Sequence, residues 1–196
     1  MENKTSPMNK LINCNDDKAI YETCKVLKQG GIIIYPTDTI YGFGCDANNE
    51  FAIKKINEIK NRQGPMSVIA PKIKTAKGWI KIKGNQASSI NAKIKNGNTI
   101  IVPVKNGICS SMIMGDNQTL GIRIPEHNFC KKLAEQYHNI ITTTSVNQTG
   151  EKPLTNINEI FKEFSNRVEL IIDDGNIDGE ASKIFLFQNN IWNRLR

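Results

Sequence analysis

Apolar positions along the chain follow two rhythms. "DDKAIYETCKVLKQGG" spaces Ile20, Cys24 and Leu27 for one helical face, with acids first, a lysine late and glycines after. "EFAIKKINEIK" puts Phe51, Ile53, Ile56 and Ile59 on roughly one helical face, and "HNFCKKLAEQYH" and "NINEIFKEF" also read as helices. Between them lie short apolar or β-branched runs that read as strands: "GIIIYP", "MSVIAP", "TIIVPV", "LGIRIP", "NIITTTS", "VELIID", "SKIFLF" and a last one at "IWNRL". Residues 73–96 carry mixed signals and read as helical pieces around Gly84, while residues 1–10 read as a loose lead-in. Interleaved strands and helices predict an α/β fold. Because the alternation is not strict, an open, twisted, mixed sheet with flanking helices fits better than a doubly wound parallel one. With no repeat and no Pro/Gly-rich linker, residues 1–196 read as a single domain.

Composition narrows this picture. The longest apolar runs are far too short to cross a bilayer, and "MENKTSPMNK" has no apolar signal core, so no membrane association and a cytoplasmic location are expected. The five cysteines are scattered and never spaced C-x-x-C, and there are two histidines. Neither a disulfide framework nor a protein-held metal site is expected from that set. The net charge of +7 is unevenly spread: no acid occurs between Glu58 and Asp116, an interval holding Lys60, Arg62 and eight further lysines. Such a segment either draws phosphate-bearing ligands or forms a solvated face.

Four polar constellations stand out. Pro36 should stop the first long strand, after which Thr37, Asp38, Thr39 and Tyr41 gather beside Gly42 and Gly44. Strand ends of open α/β sheets are ligand positions, although a Ser/Thr or Asx turn would use the same residues. In "INEIKNRQGP", Lys60 and Arg62 diverge on a continuous helix but can form a phosphate clamp if the helix ends near Lys60 and the chain then runs extended. In "TTTSVNQTG", Ser145 and Asn147 share one face of an extended chain, as ligand groups or as loop caps. Arg123 lies opposite Ile122 and Ile124, and needs either an anionic partner or an exposed strand face. No phosphate loop, dinucleotide fingerprint or nucleophile elbow occurs, so any nucleotide site is assembled from separate segments.

These segments, "YPTDTIYGFGCD", "IKNR", "GIRIPEH" and "TSVNQTG", with "IIDDGNIDGEASKIF" later, resemble in order and spacing the YrdC-like threonylcarbamoyl-AMP synthases. The resemblance spans about residues 16–196. It implies an open α/β fold around a large, positively charged cavity. It also implies synthesis of L-threonylcarbamoyl-AMP and pyrophosphate from L-threonine, bicarbonate or CO2, and ATP, with Mg2+ carried by the triphosphate. The product serves N6-threonylcarbamoyladenosine formation at position 37 of tRNA, through a partner threonylcarbamoyl transferase. By the same resemblance Lys60, Arg62, Ser145 and Asn147 are the catalytic tetrad. Thr37, Tyr41 and Arg123, with Lys60, line the threonine pocket, and Arg123 meets the threonine carboxylate. Thr143 and Thr144 flank the nucleotide, and Arg194 or Arg196 closes the cavity. Lys60→Ala and Arg62→Ala are each expected to cost orders of magnitude in rate with little loss of fold. The chain departs from the family pattern at Gln63, in a shortened loop before Pro65, at "NGNT" (96–99), at Val146 and at Lys183. A non-catalytic double-stranded RNA-, tRNA- or nucleotide-binding protein is the alternative, and carbamoyl transfer a more distant one.

Overall fold

The structure is a computed structural model and describes residues 10–82, 84 and 86–196. In chain order it contains β1 (Lys10–Asn13), α1 (Ala19–Lys28), β2 (Ile33–Tyr35), β3 (Gly42–Gly44), α2 (Glu50–Ile59), β4 (Ser67–Ile69), α3 (Ile73–Trp79), α4 (Gln86–Ile94) and β5 (Thr99–Pro103). Then follow β6 (Thr119–Arg123), α5 (Asn128–Gln136), β7 (Ile141–Ser145), α6 (Ile157–Phe164), β8 (Leu170–Asp173), β9 (Ile184–Gln188) and β10 (Ile191–Arg194). The strands form one sheet in the order β1-β8-β2-β3-β7-β4-β6-β5-β9-β10. Its pairings are mixed: β1–β8, β2–β8, β4–β6 and β5–β9 are parallel and the rest antiparallel.

Helices cover both faces, and the apolar runs of the sequence follow from that. Ile33 and Tyr35 pack with Leu27, Phe129 and Leu133, from α1 and α5. Ile32 and Ile34 belong to the opposite cluster, with Ile53, Ile56, Ile160 and Phe164 from α2 and α6. A strand buried on both sides needs apolar residues at every position, hence "IIIY". Local caps set the helix starts: Asn49 Oδ1 accepts from Ala52 N–H at 3.0 Å, and Asn156 Oδ1 accepts from Asn158 and Glu159. As the proline rule requires, β2 ends at Tyr35, directly before Pro36.

Three expectations change. Residues 1–9 of the proposed lead-in lie outside the described residues, and Lys10 opens β1, an edge strand paired in parallel with β8. "GFG" is a strand, β3, between β2 and β7, rather than part of a loop. Gly44 is small for a neighbour, not a ligand: a Cβ there would stand 2.7 Å from Cε1 of the buried Tyr35 ring. Phe51 is 78% exposed, so the core face of α2 is Ile53, Ile56 and Ile59 without it.

Candidate active site

Five neighbouring strands, β3-β7-β4-β6-β5, carry mostly small or polar residues on one face, with Ile101 of β5 and Ile184 of the adjoining β9 as apolar exceptions. The small or polar ones are Gly42, Thr143, Ser145, Ser67, Thr119, Gly121, Thr99 and, at one end, Arg123. Alternate positions point to opposite faces, so on β6 Thr119, Gly121 and Arg123 share this face while Leu120 and Ile122 are fully buried in the core on the other. The small residues leave a cleft of about 420 Å³. Arg62, Arg123 and Arg196 line it, and among the described residues no Asp or Glu side chain does. The face opposite Ile122 is thus the cleft floor.

At one end of the cleft, α2 stops in a way that brings Lys60 and Arg62 to the same place. Arg62 N–H donates to Asn57 C=O at 2.9 Å and Asn61 N–H to Glu58 C=O at 3.1 Å. Those are the two bonds of a Schellman ending, with Asn61 at φ 50° in the left-handed position that glycine usually fills. A reversal, not an extended chain, therefore swings Arg62 back beside Lys60. The Lys60 Nζ donates to Ser145 C=O (2.6 Å), Asn147 C=O (2.7 Å) and Asn147 Oδ1 (3.0 Å), while Lys60 C=O accepts Thr149 N–H at 3.0 Å. All three ammonium hydrogens are engaged, and the residue is 2% exposed. Burial, then the Arg62 charge, brings its pKa down from 10.5 to about 8.

Asn147 is the hub of this network. Its Oδ1 also accepts Ser145 Oγ at 2.5 Å, and its Nδ2 donates to Gln148 and Glu151 carbonyls, each at 2.8 Å. Lys60, Ser145 and Asn147 therefore meet, but Lys60 and Asn147 stand behind the cleft wall that Ser145 and Arg62 present. Arg62 Nη2 reaches Thr144 Oγ1 and Pro65 C=O at 3.3 Å each, and its buried Nε has no partner. Burial lowers the Arg62 pKa as well.

At the other end, the first polar constellation turns out to be divided. Thr37 Oγ1 donates to Ile40 C=O at 2.6 Å and accepts the Thr39 and Ile40 N–H groups, so its hydroxyl closes its own turn. Tyr41 OH donates to Gly175 C=O (2.7 Å) and accepts Asp174 N–H (2.8 Å), and burial raises its pKa. Both residues line the cleft, with hydroxyls committed to the protein. Arg123, 5% exposed, has the anionic partner its setting calls for: Nη2 donates to Asp38 Oδ1 at 2.8 Å and to Thr39 Oγ1 at 2.8 Å.

Between the two candidate closing arginines the structure distinguishes clearly. Arg196 lines the cleft, its Nε donating to Ser182 C=O at 2.9 Å, and Ser182 Oγ lies 2.9 Å from Thr99 Oγ1. Burial, then Arg123, lowers its pKa. Arg194 is exposed, its side chain donates to the Arg196 carbonyl, and it does not line the cleft. Thr143 and Thr144 line the cleft beside Ser145. Sequence reasoning missed Ser67, Thr119 and Ser182, and it named Asp38 without its role as the partner of Arg123. The alternation of small and apolar residues in "TLGIR" was the signal for the floor. Lys72, Lys74, Lys77, Lys81, Lys95 and Lys105 face solvent and none lines the cleft; Lys83 lies outside the described residues. Two of the sequence departures are harmless to the cleft, since Val146 is buried on the far side and Lys183 is exposed.

The sequence model of the Sua5/YciO/YrdC family, described as telomere recombination, matches residues 25–196. The chain belongs to this family. Among its relatives, the threonylcarbamoyl-AMP synthase of Idiomarina loihiensis is 28% identical over 149 residues, covering 74% of this chain and 80% of that one. That of Haemophilus influenzae is 29% identical over 148 residues, covering 73% and 80%. The fold superimposes on P. abyssi Sua5 complexed with L-threonine, with a TM-score of 0.86 and 25% identity, over 96% of this chain but 57% of that one. It matches E. coli YciO at a TM-score of 0.87 and 19% identity, over 96% and 95%, which speaks for the fold. No helix among the described residues is long and apolar enough to cross a membrane.

Proposed function

We propose that this family member is a threonylcarbamoyl-AMP synthase, joining L-threonine, CO2 or bicarbonate, and ATP into L-threonylcarbamoyl-AMP and pyrophosphate. The observation that carries this is a cleft lined by three guanidinium groups, those of Arg62, Arg123 and Arg196, with no Asp or Glu side chain among the described residues in its lining. Clustered cations are unfavourable without a counter-charge, and a ligand with anionic groups at both ends supplies it. Relatives named as this synthase, and the L-threonine held by P. abyssi Sua5, support the same assignment.

The chemistry needs no covalent enzyme intermediate. The threonine amine adds to CO2 and releases a proton, giving N-carboxy-threonine. A carboxylate oxygen of that group attacks the α-phosphorus of ATP in line, and the bond to the bridging oxygen breaks as pyrophosphate leaves. Catalysis is then positioning and charge neutralisation. Arg62, backed by the Lys60 charge behind the wall, neutralises phosphate oxygens. Thr143, Thr144 and Ser145 offer hydroxyls along the nucleotide, Arg123 holds the threonine carboxylate, and Arg196 closes the rim. Asn147 acts through Lys60 and Ser145 rather than on substrate. Among the described residues no group of three or more His, Cys, Asp or Glu is placed to hold a metal, so Mg2+ enters as the ATP complex. The product is a reactive mixed anhydride, whose acyl group a partner transferase passes to tRNA.

Threonine- and ATP-dependent fixation of labelled bicarbonate with matched pyrophosphate release is the test. Folded protein that turns nothing over, yet binds RNA with steep salt dependence and no response to threonine, would establish the binding-protein alternative instead.

A further inference from the structure

Resting on the synthase assignment, we infer that Asp38 is a positioning residue that decides which end of the cleft takes the amino acid and which takes the triphosphate. Arg123 lines the cleft and Asp38 does not, so any effect of Asp38 passes through the guanidinium. Both Nη2 hydrogens are engaged, one by Asp38 Oδ1 and one by Thr39 Oγ1, each at 2.8 Å. A planar guanidinium receives a carboxylate or phosphate on a two-pronged edge, and each such edge that contains Nη2 needs one of those hydrogens. Asp38 and Thr39 therefore remove the bidentate edges. What is left to a ligand is single-point donation at most, since the Nε is itself buried.

The second consequence is electrostatic. The Asp38–Arg123 pair is nearly dry, its side chains 15% and 6% exposed, so the two charges compensate each other with little help from water. Gly97 closes over the pair at φ +65°: a Cβ there would collide with Asp38 Oδ2 and lie 3.4 Å from Arg123 Nη2. Lys60 and Arg62 at the opposite end have no carboxylate partner among their hydrogen bonds. The cleft is thus polarised. Its Lys60–Arg62 end carries two uncompensated positive charges suited to a triphosphate, and at its Arg123 end Asp38 cancels the Arg123 charge and leaves only that of Arg196, suited to the single carboxylate of an amino acid. Without Asp38 the second end would become another phosphate site, and the triphosphate could bind the wrong way round.

The experiment is calorimetric titration of L-threonine into the wild type, Asp38→Ala and Asp38→Asn, repeated with inorganic phosphate as competitor, and with melting temperature recorded for each. Asn keeps an acceptor for Nη2 but removes the charge. In Asp38→Ala the threonine Kd should rise at least tenfold. In Asp38→Asn it should rise less than threefold, and in both variants phosphate should displace threonine at concentrations at least tenfold lower than in the wild type. Threonine and phosphate affinities within twofold of wild type in both variants would overturn the inference. So would a uniform weakening of threonine and ATP that tracks a lowered melting temperature, since that is all a structural role predicts. If the wild type binds no threonine, the synthase assignment fails on its own. The direct phosphate titration then decides the role of Asp38: a tenfold gain sustains it and no gain ends it.

Discussion

Lys60→Met separates two roles for the most deeply buried cation at the site. Methionine keeps an unbranched apolar stem at this cap of α2, beside the Phe43 ring, but removes every donor. Three acceptors then lose a charged donor: the carbonyls of Ser145 and Asn147, and Asn147 Oδ1. At about 2 kcal/mol for each such bond, that is a loss of about 6 kcal/mol. Against it stands the desolvation of the ammonium. A fall in pKa from 10.5 to about 8 disfavours the charged form by about 3 kcal/mol, which the variant no longer bears. The net expectation is about 3 kcal/mol of lost stability, or a melting temperature lower by ~6–12 °C for a chain of this size. Urea unfolding followed by Trp79 and Trp192 fluorescence measures it. This replaces the expectation of lost rate with an undisturbed fold. A variant that loses its rate while staying within about 1 kcal/mol of wild type would show that Lys60 acts on substrate directly and does not brace the wall.

The same lysine gives a pH signature. Its folded pKa lies below its unfolded value, so between about pH 8 and 10.5 the unfolded chain holds the extra proton and wild-type stability rises with pH; the gap to Lys60→Met should widen by about 2 kcal/mol from pH 8 to 10, and a constant gap would contradict the burial assigned to it. Arg62→Ala breaks only two bonds of 3.3 Å, so it should cost less than about 1 kcal/mol in stability yet about a hundredfold or more in kcat; equal losses in both measurements would place Arg62 in the fold and not in the chemistry. Burial pushes the thiol of Cys45 up to about 12 and that of Cys109 up to about 11, so at pH 8 these two should resist iodoacetamide in native protein under conditions that label them fully in urea; rapid native labelling at either would refute the burial.

Much of the fold could be read from the chain because its signals are local. Asn49 and Asn156 cap helices two or three residues away, Pro36 ends its own strand, and the 3.6-residue spacing in α6 finds Ile157, Ile160 and Phe164 directly. What escaped depends on partners far along the sequence. β1 has four residues and exists through β8, 160 positions later. β3 is two glycines and a phenylalanine, a poor strand by propensity, held by β2 and β7 and kept small by the Tyr35 ring. At the site, residue types were legible and their depth was not. Nothing near Lys60 in sequence says that a loop 85 residues on will fold over its ammonium, and nothing near Arg123 names Asp38 as its partner. The Schellman ending was half visible, since Gln63-Gly64-Pro65 announces a stop, but Asn61 in the left-handed position is what aims Arg62.

Core and cleft come from one pattern. On β6 the odd positions are Thr119, Gly121 and Arg123 and the even ones Leu120 and Ile122; one face builds the hydrophobic core, and the other, because its residues are small, fails to fill the space above it. Across five adjacent strands that deficit becomes a hollow with a neutral floor. Charge then enters only from where strands and helices end: Arg62 from the cap of α2, Arg123 from the last position of β6, Arg196 from beyond β10. Cations at strand and helix ends are held by turns whose bonds fix their direction, whereas a cation on the floor would need a carboxylate beside it to be buried. Arg123 is the one closest to the floor, and among the described residues it alone of the three has that carboxylate, Asp38, 2.8 Å away. The floor can therefore stay uncharged along the length of a nucleotide while the sign of each end is set separately, which is what a cleft that must orient two dissimilar substrates requires.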